Sequence, residues 1–310
     1  MLAHWDDVPT SDANVGHLVA RWRDLGRAAG TRDVGVKRIE VAPGRWSTPL
    51  HRETAEEEIF YVLGGSGISL QDDRAHEVRA GDCIVHRAGR EAHTLRAGPD
   101  GLDVLAFGTR VATQLSPLPR AGVYWVGGTW GDLGGGARPW EREAAAGEPD
   151  VPGPSPRPET IVNVADVEED EGWREVGWAA GSERTGLNHV DVPPRKLHCP
   201  PHCHSAEEQV FIVLEGSGTL ELLPSPALRE AGREPETHEV RPGHVVSRPA
   251  GTAMAHAFRG GDEGLTLLAY GTRDGRDVAY YPRSNKIFFR GVGVMARLEH
   301  LPYALDEPDE

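Results

Sequence analysis

The sequence predicts an all-β protein built from two copies of one unit, each folding as a sandwich or barrel. Three observations carry this. The apolar segments are short, rich in Val, Ile, Phe and Tyr, and separated by Gly, Pro and Asp, while helical 3.6-residue spacing is scarce. At 310 residues the chain exceeds the usual size of one domain and is long enough for two, each with its own core. The third observation is an internal repeat. VGVKRIEVAPGRWSTPLH, ending at His51, aligns without a gap on TGLNHVDVPPRKLHCPPH, ending at His202. The register continues through HRETAEEEIFYVLGGSG and HCHSAEEQVFIVLEGSG, identical at ten of seventeen positions. It resumes in RAGDCIVHRAG and RPGHVVSRPAG, then in LDVLAFGTR and LTLLAYGTR, and ends at PRAGVYW and PRSNKIF.

The elements follow from that register. Residues 1–33 are expected to be an N-terminal extension with a short helix over 14–29, followed by a first unit at 34–127. The runs IFYVL and VFIVL are apolar at every position, as in strands covered on both faces. GGSG, EGSG, AGD and PGH are turn signals, because Gly takes φ > 0 without a steric penalty. Residues 128–160 are dense in Gly and Pro and form a linker. Their DLGGG lacks the Lys-Ser/Thr and the strand–loop–helix context of a phosphate-cradling loop. Trp125, Trp130 and Trp140 are expected to strap the linker onto a barrel. The second unit is expected at 161–300 and a solvated acidic tail at 301–310.

Composition narrows the class of function. The formal net charge of −15 argues against nucleic acid or an anionic membrane as a partner, since both need a basic face. The longest apolar runs are far too short to span a bilayer. MLAHWDDVPT places two aspartates where a signal peptide needs basic and then apolar residues, and three cysteines make no disulfide framework. Both point to the cytoplasm.

The candidate chemistry lies where the two copies differ. On a strand, residues i and i+2 share a face, so His202 and His204 stand side by side. Gln209 re-enters a strand after the SAEE turn, and His256 follows a Gly turn, so three imidazoles and an amide can converge inside one barrel. In this frame, G-x5-H-x-H-x3,4-E-x6-G followed by G-x5-P-x-G-x2-H, the chain resembles the cupin superfamily over nearly all of its length outside the N-terminus and linker. That resemblance implies two double-stranded β-helix (jelly-roll) barrels in tandem, a bicupin. It also implies one metal set of His202, His204, Gln209 and His256, and another of His51, Glu53, Glu58 and His93. The departures are Gln209 where the family has Glu, Glu53 where it has His, Arg87 in place of Pro, and Arg195 in place of Gly.

The two sets differ in chemistry. Two imidazoles with two carboxylates would neutralise a divalent cation and suit Mn or Fe. Three imidazoles with a neutral amide would leave the full dipositive charge facing the cavity, where it can polarise an anionic substrate. The sequence therefore favours the C-terminal set as the reactive centre, loaded with a divalent first-row metal: Fe, Mn, Zn, Ni or Cu. Glu53 is also a plausible partner for Arg52 or Arg87. Gln209 reads equally as a ligand or as a residue orienting water. Cys203 lies between two inward-facing histidines and should point to the opposite face, which argues against a Cys/His zinc site with Cys199. His86, His198 and His244 are candidate proton-transfer groups. Glu56, Glu57, Glu207 and Glu208 recur in both copies and read as parts of the turn.

The resemblance implies a metal-dependent enzyme acting on a small oxygen-rich or anionic molecule in the C-terminal barrel, with dioxygenase chemistry first and decarboxylation, hydrolysis or isomerisation open. The competing expectation is a metal- or ligand-binding bicupin without catalysis, for storage, sensing or scaffolding. No catalytic acid or base is evident from the sequence, and a homodimer is expected from the resemblance alone.

Overall fold

The computed structural model describes residues 2–111, 113–126, 129–131 and 139–299. The acidic tail and the Gly-rich centre of the linker fall outside these residues. Every pairing between named strands is antiparallel among the described residues. The first half centres on two long strands, Glu58–Gln71 and His93–Thr109, flanked by Asp82–His86 and Val34–Val41. The second half repeats this with Gln209–Pro224 and Met254–Thr272, flanked by His244–Arg248 and Thr185–Val192. Each barrel carries a small antiparallel sheet at its mouth, Leu115–Leu118 with Val123–Val126 in one and Val278–Tyr281 with Lys286–Phe289 in the other. No described helix is long and apolar enough to cross a membrane.

The two apolar faces of IFYVL and VFIVL have separate destinations. Phe60 and Val62 fill the first barrel with Val104, and Phe211 and Val213 fill the second with Leu267. The alternate residues Ile59, Tyr61 and Phe107 meet Val210, Ile212 and Tyr270 in one cluster that joins the halves. The Phe107 and Tyr270 rings lie 5.0 Å apart in that layer. Burying both faces of these strands makes the two barrels one packed body.

The long strands bend where the glycines lie. GGSG and EGSG, expected as turns, are register shifts inside Glu58–Gln71 and Gln209–Pro224. Gly65 (φ 78°) and Gly216 (φ 72°) carry the bulges, and a Cβ at either would collide with the carbonyl of Gly101 or Gly264. The same residue chemistry serves a turn or a bulge, so the glycines alone do not distinguish them. AGD and PGH are turns as expected.

The N-terminal segment departs from the expected helix over 14–29. Thr10–Val15 and Leu18–Asp24 form a hairpin that extends the first sheet, and only Leu25–Ala29 is helical. Leu18 and Ala20 are buried, and Gly16 (φ 58°) makes the reversal. Leu2–His4 pairs with His244–Arg248 of the second half, and Ile161–Asn163 pairs with Asp82–His86 of the first. Each half thus lends its first strand to the sheet of the other. Of the linker tryptophans, Trp140 lies in the helix Pro139–Ala145 and packs against the cluster of Leu18, Trp46 and Leu50, while Trp125 packs on Leu118, Ala121 and Val123.

Two buried carboxylates lock this exchange. Glu57 accepts the amide N–H groups of Glu183 (2.8 Å), Arg184 (3.3 Å) and Thr185 (3.1 Å), with the hydroxyls of Ser182 and Thr185. Glu208, its counterpart in the repeat, accepts those of Arg32 (2.8 Å), Asp33 and Val34 (2.9 Å). Replacing Glu208 by Ala strands these donors in a water-poor seam. The expected loss is about 3 kcal/mol or more, at about 1–3 kcal/mol for each buried donor left without a partner. Chemical denaturation measures it, and a loss below about 1 kcal/mol would show that water replaces the carboxylate.

Candidate metal centres

The first centre is assembled at one end of the first barrel. His51 and His93 are paired through their backbones, with His51 N to His93 O at 3.2 Å and the reverse bond at 2.7 Å. His51 Nδ1–H donates to Pro49 O (2.9 Å), which turns Nε2 inward. His51 Nε2 lies 3.7 Å from Glu58 Oε2, and His93 Nε2 lies 2.9 Å from the same oxygen. These three residues present ligand atoms within 4.8 Å of one another. Glu53 stands at the edge, 3.6 Å from His51 Nε2, with its carboxylate held by the Gln114 side-chain amide and by Ser116 Oγ (2.5 Å) rather than by Arg52 or Arg87. Arg87 instead donates to Gly181 O (2.8 Å), across the seam between the halves.

Electrostatics sorts the charges in this group. Burial opposes charge on Glu58, yet the His51 and His93 imidazoles outweigh it and hold its carboxyl well below the usual range. Burial likewise opposes charge on His51, but Glu58 and Glu53 raise it to about 9. Burial, with His86 stacked on it at 3.7 Å, pushes His93 down to about 3. His86 is tied to Glu91 (3.1 Å). Burial raises Glu53 to about 7, and it raises Glu56 on the same cavity wall to about 7. The cavity above the group is about 690 Å³. Trp22, Phe60, Trp125 and Trp140 supply its apolar walls, with Lys37 and Arg110 on the polar side.

In the second half the three expected histidines approach one another, and Gln209 lines the same cavity as His202. His202 lies 4.9 Å from His204 and 5.0 Å from His256 between ring centroids, and His204 lies 6.4 Å from His256. His202 Nδ1–H donates to Pro200 O (2.9 Å), repeating the orientation of His51. Burial pushes His202 down to about 4 and His256 well below its ordinary value, so both rings stay neutral with a lone pair to offer. His204 Nε2, both nitrogens of His256, and Gln209 Oε1 are buried without hydrogen-bond partners. Buried polar atoms without partners are costly, and imidazole and amide atoms suit a divalent cation chemically, but His202, His204 and His256 do not bring their ligand atoms within 4.8 Å of one another as the first group does.

Around them lie two residues the sequence did not single out, Asp277 and Arg290. Asp277 accepts His204 Nδ1–H at 2.6 Å. Burial works against its charge, but His204 and two backbone amides hold its carboxyl well below the usual range. Gln209 Nε2 donates to Glu207 Oε1 (3.2 Å), and the other Glu207 oxygen pairs with Arg290. His204, Glu207 and Asp277 therefore make a second cluster of ligand atoms within 4.8 Å. The cavity here is only about 270 Å³. His198 lines it with Nδ1 accepting Phe258 N–H (3.0 Å), and Cys199 Sγ lies 2.9 Å from its Nε2. Cys203 is directed to Tyr280 O, on the other face from the histidines. His244 lies outside both centres, beside His4 and Arg241.

The comparisons come from three directions. The family model of the cupin domain matches residues 37–105. A dimethylsulfoniopropionate lyase, DddW, of Ruegeria pomeroyi is 40% identical over 103 residues, which is 31% of this chain and 64% of that protein. The match thus spans less than two thirds of the relative. The solved structure of Lactobacillus farciminis oxalate decarboxylase in complex with formate superposes with a TM-score of 0.60 at 14% identity, over 88% of this chain and 86% of that one. A Bacillus subtilis oxalate decarboxylase, studied for its Mn(II) centres, does so with a TM-score of 0.61 at 17% identity, over 90% and 78%. At these identities the structures establish the shared two-barrel fold.

Each group of ligands is expected to load independently. Elemental analysis of purified protein should show about one equivalent lost on His51→Ala/His93→Ala and a separate one on His202→Ala/His256→Ala, from the ligand chemistry. Wild-type protein that stays metal-free after reconstitution would rule out both centres.

Proposed function

Because the chain is a two-domain cupin protein, we propose that it is a metal-dependent lyase, cleaving a β-substituted small carboxylate by elimination in the N-terminal barrel. The observation that carries this reading is the cavity of about 690 Å³ over His51, Glu53 and Glu58, against about 270 Å³ in the second barrel. The sequence favoured the C-terminal set on charge alone. Room for a substrate favours the other one.

A divalent ion held by His51, Glu58 and His93 would supply Lewis acidity toward the substrate carboxylate, and thereby acidify the adjacent carbon. The chain supplies the rest. Lys37 and Arg110 offer positive charge on the cavity wall for the anion. Glu56, with Oε1 fixed by the Val111 N–H (2.9 Å), is positioned in the same wall to take the proton. The electron pair of that C–H bond becomes the new double bond, and the β-substituent leaves with its own bonding pair. Trp22, Trp125 and Trp140 suit an apolar or cationic leaving group, through burial and through attraction of a cation to a ring face. The partial match to a lyase of this kind supports elimination over an oxygen-consuming reaction.

The test is turnover of dimethylsulfoniopropionate, other β-substituted propionates and oxalate by the metal-loaded full chain, with products and O2 followed together. An unsaturated acid should form without O2 uptake, and chelation or His51→Ala/His93→Ala should abolish it. Glu56→Gln should lower kcat by about 10²-fold or more with metal content unchanged, the range for removing a positioned base. O2 consumption with substrate would return the oxidative reading that the three-imidazole set suggested. Elimination that survives Glu56→Gln would remove Glu56 from the reaction.

A further inference from the structure

We propose that Gln114 and Asp277 decide which type of metal ligand stands at residues 53 and 204, through the direction of a single hydrogen bond. Each lies four residues beyond the shared Gly-Thr-Arg, so the two occupy one position of the repeat. They share a first task. Gln114 Oε1 accepts the amides of Ala55 (2.8 Å) and Glu56 (2.9 Å), and Asp277 Oδ1 accepts those of Ala206 (2.9 Å) and Glu207 (3.0 Å). One oxygen in each half is therefore committed to holding the ligand turn.

The remaining terminal atom faces the candidate ligand, and there the halves are opposite. In the first half it is the Gln114 amide nitrogen, a donor, and the residue before it is the Glu53 carboxylate, an acceptor. In the second it is Asp277 Oδ2, an acceptor, and it meets His204 Nδ1–H at 2.6 Å. The mixed pairings fail for different reasons. An amide donating to His204 Nδ1 would force the ring proton onto Nε2, which is buried without a hydrogen-bond partner, and so block its lone pair. A carboxylate at 114 would set two anions in contact at Glu53. The paired residues are 61 and 73 positions apart in the chain, so both members of a pair must change together for either ligand to be usable. The pair at 204 and 277 then secures a neutral nitrogen donor suited to Zn, Ni or Cu, and the pair at 53 and 114 a hard oxygen donor suited to Mn.

The consequence for metals rests on the reading of both groups as metal centres, but the orientation can be tested without metal. Asp277→Asn keeps an oxygen for the two turn amides and presents a donor to His204. Long-range 1H–15N correlations on the metal-free full chain should show His204 protonated at Nδ1 in wild type and at Nε2 in the variant. The same tautomer in both proteins would overturn the proposal. Affinity for zinc and manganese, measured by chelator competition in a His51→Ala/His93→Ala background, gives a second readout. Asp277→Asn should weaken zinc about 10–100-fold, the usual cost of losing a ligand-orienting carboxylate. His204→Glu should also lose zinc, whereas His204→Glu/Asp277→Gln should recover binding with preference for manganese. A double variant no better than His204→Glu would refute the coupling. If Asp277→Asn does not fold, the mirror pair decides. Glu53→His should destabilise the chain and Gln114→Asp added to it should restore stability, while equal stabilities would refute the coupling. Wild type that takes up no metal overturns the metal reading, and the tautomer measurement still judges the hydrogen bond.

Discussion

The structure depends on two buried carboxylates that reach across its seam. Glu57 and Glu208 each gather the backbone N–H groups that open the other half's first long barrel strand, and neither uses a cationic partner to do it. A carboxylate in a water-poor seam is tolerated only when its lone pairs are fully used, and here peptide dipoles use them. The position of these residues matters more than their strength. Glu57 immediately precedes Glu58, and Glu208 immediately precedes Gln209. The contact that registers one barrel against the other therefore also fixes where a candidate ligand enters its strand. Changing the seam would move the candidate ligands, which accounts for turn residues that match between the copies while the candidate ligands differ.

Within that fixed frame the copies differ in the polarity of their sites rather than in their shape. The backbone pairing of His51 with His93 recurs as His202 with His256, and the carbonyl that orients His51 recurs as Pro200 O. The first centre concentrates acidic oxygen, so an imidazole there is drawn toward its charged form. In the second, burial keeps His202 and His256 neutral beside an amide, and the carboxylates of Asp277 and Glu207 cluster with His204. A cation would meet carboxylate charge through Glu58 and Glu53 in the first, and through Asp277 and Glu207 beside His204 in the second.

The sequence carried the repeat and the all-β class, because these depend on local periodicity, and it named His202, His204, Gln209 and His256 as candidates from their spacing in the repeated frame. It did not reveal Gln114 or Asp277. Each acts on a residue some sixty to seventy positions earlier, and neither differs in type from an ordinary loop residue. Comparison of the two copies carried a signal, since Gln114 aligns with Asp277 and Glu53 with His204, but its meaning needs the hydrogen-bond direction. A positive φ serves turns and bulges alike, so the glycines at 65 and 216 do not distinguish the two in sequence. The helix expected over 14–29 gave way to a hairpin because Leu18 and Ala20 can be buried on the edge of an existing sheet, a tertiary contact that outweighs local helix preference. The exchanged strands Leu2–His4 and Ile161–Asn163 are three residues each, too short to display a period.

The same turn glutamate shows how one frame can support two roles. Glu56 stands in the wall of a roomy cavity, anchored by one backbone amide. Its counterpart Glu207 is drawn inward, with one oxygen accepting from Gln209 and the other paired with Arg290. Arg290 also stands 3.8 Å from Asp277, so a single guanidinium ties together the carboxylates that flank the second centre. That network occupies space which the first barrel leaves open, and it commits Glu207 to charge balance. Burial raises both carboxyls, that of Glu56 to about 7, so the two differ in what occupies their oxygens rather than in the direction of the shift. The replacement of Glu58 by Gln209 fits the same division. An amide can donate to Glu207 where a carboxylate would repel it, so the ligand change and the closing of the second cavity belong to one rearrangement.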